Sequence, residues 1–146
     1  MLKRVIKYED FEGNEAEDIF YFNISKPELV ELEVELDQGY GKFLQKIIET
    51  KDNKELINQF KRLVLMSYGV KSDDGKRFIK NDQIREEFSQ TAAYEALYME
   101  MLEDDNAAVD FLTGVLPRDL RGEVAKATKD IGTASTPSGG PTPPTR

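Results

Sequence analysis

The sequence predicts an α+β fold, in which an N-terminal β-hairpin is followed by a mainly α-helical domain with a small second hairpin and a disordered C-terminal tail. Three observations lead to this reading. Two short segments near the start alternate apolar and polar residues around a Gly-Asn turn. The middle of the chain carries apolar residues at helical spacing between capping signals. From Gly132 on, the chain offers four prolines and nothing to bury.

In order along the chain, the strands are Arg4 to Tyr8 and Ile19 to Ile24, joined across Glu12-Gly13-Asn14-Glu15, where Gly and Asn tolerate positive φ. Phe20, Phe22 and Ile24 share the face expected to meet the core. Ser25-Lys26-Pro27-Glu28 is a helix start, with a capping hydroxyl, Pro in the first turn and Glu three residues on. That helix is expected to run to about Leu36 on Leu29, Leu32 and Leu36. Val30 and Val34 between Glu31, Glu33 and Glu35 also fit the period of a strand. The next segment, Gly41 to Thr50, places Phe43, Leu44, Ile47 and Ile48 on one helical face, with Gly39 and Gly41 around Tyr40 read as a junction.

Asp52 with Glu55 opens the clearest helix, with Leu56, Ile57, Phe60, Leu63, Val64 and Tyr68 as its apolar stripe and Gly69 as the expected C-cap. Ser72-Asp73-Asp74-Gly75 then turns a small hairpin between Gly69-Val70-Lys71 and Arg77-Phe78-Ile79-Lys80. Asp82 is the expected cap of a short helix with Ile84 and Phe88. Ser89 or Thr91 starts a longer one carrying Tyr94, Leu97, Tyr98, Met101 and Leu102, and Asn106 a last one ended by Pro117. The predicted organisation is a compact unit over 1–117, with its hairpin at 3–24 and its helical part at 26–117, then a polar extension and Pro/Gly/Thr-rich tail over 118–146.

Composition excludes more chemistry than it suggests. The 146 residues include no Cys and no His, which removes disulfides, thiolate nucleophiles, imidazole bases and the commonest metal ligand. Only carboxylate, Lys or Tyr chemistry remains, so the expectation is a protein that binds rather than catalyses. With a net charge of -8, the chain would repel nucleic acid. It has neither a signal peptide nor an apolar run near the roughly 20 residues that span a bilayer, so a cytoplasmic protein without a membrane partner is expected. Charge is segregated, with 4 basic and 11 acidic residues over 1–37, 11 and 8 over 38–91, and none and 6 over 92–116. Acidic ends and a basic middle favour a homo-oligomer.

No catalytic, metal or cofactor-binding residue is assigned. Asp73-Asp74-Gly75 fails as a calcium loop, because the loop's glycine position at Gly75 would put Val70 first and Asn81 last among the ligands. The glutamates from Glu28 to Glu35 read as a solvated face. Tyr94, Tyr98, Met99 and Met101 are the candidate partner-binding residues, since Tyr and Met suit adaptable interfaces; the competing reading of the same stripe is core.

Residues 60–117 carry Phe60-Lys61-Arg62-Leu63-Val64-Leu65, Ser67-Tyr68-Gly69, Ser72-Asp73-Asp74-Gly75-Lys76-Arg77-Phe78, Phe88-Ser89-Gln90-Thr91-Ala92-Ala93-Tyr94, Asp110-Phe111 and Gly114-Val115-Leu116-Pro117. This block resembles the tail assembly chaperones of long-tailed bacteriophages, of the kind found in phages of Gram-positive hosts. The order of elements extends the resemblance over residues 1–120. It implies a non-catalytic protein that binds the hydrophobic, largely helical tape measure protein and keeps it soluble during tail tube assembly. It also implies action in the host cell cytoplasm and absence from the mature virion. Such proteins are often made in two lengths by ribosomal frameshifting, the longer form recruiting the major tail (tube) protein, and the tail here is placed like the linker to such an extension. The competing readings are a structural virion protein, such as a tail-tube or head-tail connector subunit, and a carboxylate-based hydrolase.

Overall fold

The structure, a computed structural model, describes residues 1–36, 39–49 and 54–121, the side chains of Ile48 and residues 54–56 excepted. The expected start of the third helix at Asp52 and Glu55, the facing of Ile48 and Leu56, and the tail beyond Arg121 lie outside these residues.

Strands β1 (Leu2–Glu9) and β2 (Glu15–Phe22) pair antiparallel over their whole length, from Leu2 opposite Phe22 to Glu9 opposite Glu15. The Asp10 carboxylate closes the turn by accepting from the N–H groups of Glu12 and Asn14, and Gly13 supplies the positive φ of 84°. Both strands therefore extend closer to the turn than the pattern indicated, and β2 stops at Phe22. Phe22 is fully buried, and Ile24, just past the strand, is also buried and donates its N–H to Val115 O at 2.8 Å.

Helix α1 (Lys26–Glu35) starts as the sequence indicates: Ser25 Oγ accepts from Glu28 N–H and the Glu28 carboxylate accepts from Ser25 N–H. Leu29, Leu32 and Leu36 are buried, while Val30 and Val34 are 65% and 83% exposed, which decides for helix over strand. Gly39 (φ 87°) turns the chain into α2 (Gly39–Glu49), two residues earlier than expected. Tyr40, read from sequence as part of a junction, is fully buried, with its hydroxyl donating to Leu112 O at 2.7 Å.

Helix α3 (Lys54–Ser67) runs straight into β3 (Tyr68–Lys71), which pairs with β4 (Phe78–Ile79) around the Gly75 turn. This corrects Gly69 as a C-cap. The last carbonyls of α3 are satisfied from elsewhere: Val64 O by Ser67 Oγ, Met66 O by Lys80 Nζ and Ser67 O by Asn23 N–H. No left-handed residue is needed there. Gly69 is required for another reason, because a Cβ at this position would lie 2.6 Å from the Phe78 ring. Tyr68, counted with the helical stripe, is a strand residue whose ring stacks on Phe88 at 4.0 Å.

Helix α4 (Asp82–Ser89) is capped by Asn81, not Asp82: Asn81 is extended and its side chain accepts from Ile84 N–H at 2.8 Å. Asp82 instead occupies the first turn, where a negative charge suits the helix dipole. Thr91 caps α5 (Ala92–Glu103), and Asp104, ahead of the expected Asn106 start, caps α6 (Asp105–Gly114). At the far end of α6, Tyr40 takes Leu112 O, and the Arg121 guanidinium takes Gly114 O and Leu116 O. A 3-10 turn at Arg118–Leu120 follows Pro117, and Leu120 packs on the core, so the interior continues past that proline.

The two hairpins are one antiparallel sheet in the order β1-β2-β3-β4, joined by Tyr21 opposite Gly69 and Phe22 opposite Tyr68. Alternation along β1 and β2 turns Ile6 and Phe22 to the helices and leaves Val5 and Ile19 about half exposed on the outer face. Helix α5 packs on β1 and α6, while α2 packs on α1 and α6. A chain of rings from Phe111 through Phe22, Phe88 and Tyr94 to Tyr98 and Phe60 links the sheet to α3.

Candidate partner-binding surfaces

Helix α5 places the four candidate residues on different sides. At about 100° per residue, Tyr94, Leu97 and Met101 turn inward and are buried, Tyr98 is half-buried against Phe60 at 5.7 Å, and Met99 is exposed. Burial pushes the Tyr94 hydroxyl up to about 12, and the Tyr98 hydroxyl also rises. The outward strip of α5 is instead Met99 and Leu102 between Glu95 and Glu103.

Three further faces are open. Val30 and Val34 form a ridge on α1 among exposed Glu31, Glu33 and Glu35. The outer sheet face carries Val5 and Ile19 side by side, with Lys71 Nζ 4.3 Å from the centre of the Tyr21 ring. Between α3 and α4 lies an open cleft of about 530 Å³, with cations from Lys61, Arg62 and Arg85, apolar lining from Leu65 and Met66, and one carboxylate from Glu86. No local sequence pattern marks this cleft. Its one available signal was the excess of Lys and Arg over residues 38–91, which does not show that α3 and α4 come together.

The charged groups act as structural ties. Lys80 Nζ donates to Glu28 Oε1 at 2.7 Å, Asn23 O at 2.9 Å and Met66 O at 3.1 Å, joining β4, α1 and α3. Burial alone would raise the Glu28 carboxyl, but hydrogen bonds from Lys80 and Ser25 overcome it and hold Glu28 below the ordinary range. Asp74 is lowered by the Lys76 N–H and the Ser72 hydroxyl, and Asp119 by its hydrogen bond from Lys26. A general acid needs the opposite displacement. Among the described residues no group of three or more Asp and Glu could hold a metal ion. No helix there is long and apolar enough to cross a membrane.

An α+β fold with ionic ties and open apolar faces flanked by charge of either sign defines a protein suited to contact with other proteins. The comparison with known families makes this specific. The family model described as phage tail assembly chaperone matches residues 1–143, and the chain belongs to that family. No curated protein and no solved structure matches it.

Proposed function

We propose that this chain binds the tape measure protein and keeps it soluble while the tail tube assembles, without catalysing a reaction. The observation that carries this reading is the family match over nearly the whole chain. The surfaces support it: the valine ridge of α1 and the Met99–Leu102 strip of α5 offer apolar contact within an acidic frame that keeps a loaded complex in solution. The protein acts in the host cytoplasm and leaves before the virion is complete. Residues 1–117, with Leu120 and Arg121 held against them, are the client-binding unit, and the Pro/Gly/Thr-rich sequence that follows links it to a frameshifted longer form that recruits the tube protein. The segregated charge supports self-association of the chain alongside client binding.

Co-expression with the tape measure protein of the same phage tests the proposal. The client is expected in the soluble fraction only when this chain is present. Equal precipitation of the client with and without it, or stoichiometric recovery of the chain from purified virions, would count against the reading.

A further inference from the structure

We propose that the cleft between α3 and α4 seats an amphipathic client helix whose apolar face is flanked by carboxylates; this rests on the chaperone reading above. The Arg85 side chain lines the cleft and is 30% exposed, and among the described residues its guanidinium reaches only Asp82, at 3.4 Å, a carboxylate that is itself fully exposed. Lys61 has no acceptor among the described residues, whereas Arg62 is held by both Glu35 oxygens at 2.6 and 3.1 Å. Weakly paired cations beside an apolar floor are placed to take a carboxylate, and guanidinium is the group best shaped to grip one.

The lining selects the rest of the partner. Leu65 and Met66 are half-buried between the cations, and Met adapts to varied apolar side chains. Two neighbouring helices leave a groove into which the side-chain ridge of a third helix packs, and about 530 Å³ holds one face of such a helix. Sign gives the preference. The chain carries -8 overall and its α1 ridge is ringed by glutamates, so a carboxylate-bearing segment is repelled across much of the surface and attracted at this cleft. Apolar contact supplies affinity, and the cations set position and direction.

The test uses the full chain co-expressed with the tape measure protein. The double variant Lys61→Glu/Arg85→Glu is expected to lower recovery of soluble client at least ~5-fold with an unchanged thermal midpoint, while Lys61→Arg/Arg85→Lys retains the client. A photo-crosslinker at Leu65 is expected to capture an acidic amphipathic segment of the client, an arm that needs no charge reversal. The cleft proposal fails if the reversed variant holds the client as well as the wild type does. It fails equally if Leu65 crosslinks to a second copy of this chain, whose Glu95, Met99, Leu102 and Glu103 strip offers the same chemistry. If the wild type solubilises no client, the chaperone reading falls and this proposal with it.

Discussion

Replacing Lys80 with methionine keeps an unbranched stem beside Gly69 and deletes only the ammonium. Its Nζ serves one carboxylate and two carbonyls on segments 14 to 57 residues away, with side-chain exposures of 12% for Lys80 and 23% for Glu28. Burial lowers Lys80 more than Glu28 raises it, so the value of the tie sits with the acceptors. Without the ammonium, Glu28 keeps only the Ser25 N–H, and Asn23 O and Met66 O each lose a charged donor. Breaking a fully buried pair costs about 3 to 5 kcal/mol; with both groups still reached by water, the low end applies, about 3 kcal/mol. For a domain of this size that is a fall of roughly 10 °C in Tm.

Urea denaturation at pH 7 measures the loss as a shift of midpoint at constant slope. A cycle with Glu28→Gln should show coupling of about 1 to 2 kcal/mol. The pH dependence follows from the depressed Glu28 carboxyl. Its stabilisation is present above the ordinary value of 4.5 and is lost as pH falls through the lower folded value, so Lys80→Met should lose less stability than the wild type on acidification. A cost below about 0.5 kcal/mol for Lys80→Met would refute the reasoning, because that is the scale of an exposed pair.

Three other substitutions separate local from long-range causes. Gly69→Ala should cost about 2 kcal/mol, because its Cβ would lie 2.6 Å from the Phe78 ring and 2.8 Å from Lys80 Cγ; Phe78→Leu in the same chain should restore only the ring's share of the loss in thermal melts, the Lys80 stem keeping the rest. Tyr40→Phe, which strips the hydroxyl from a buried helix-end carbonyl, should lower stability by about 1.5 kcal/mol in urea titration. Ser25→Ala removes half of the capping box and should cost about 1 kcal/mol, read from the thermal midpoint.

The elements that were legible in the sequence are those whose causes lie within about four residues. The capping box at Ser25 and Glu28, the Gly75 turn, the Thr91 cap and the inward sets Leu29/Leu32/Leu36 and Phe60/Leu63/Val64 all emerged as read. Errors cluster where the partner is distant. Gly69 looked like a cap because the sequence shows a glycine after a helix, whereas the groups capping α3 include Lys80 and Asn23 and the ring that requires the glycine belongs to Phe78. Nothing near Tyr40 in sequence marks it as core, because its hydroxyl's partner is 72 residues away. Among the candidate contact residues, the helical period alone cannot rank Tyr94 and Met101 against Met99, since what decides is which side of α5 meets β1 and α6.

By itself, the sequence determined a protein with neither imidazole nor thiol, a net negative charge, and the order of its strands and helices, with α1 alone also fitting a strand, because composition and local hydrogen bonding need no knowledge of the rest of the chain. Only the tertiary structure decided that the two hairpins share one sheet, that Lys80 ties three elements together, and that three cations meet over an apolar floor between α3 and α4. These are contacts between segments remote in sequence, and they exist only once burial of the common core has brought those segments together.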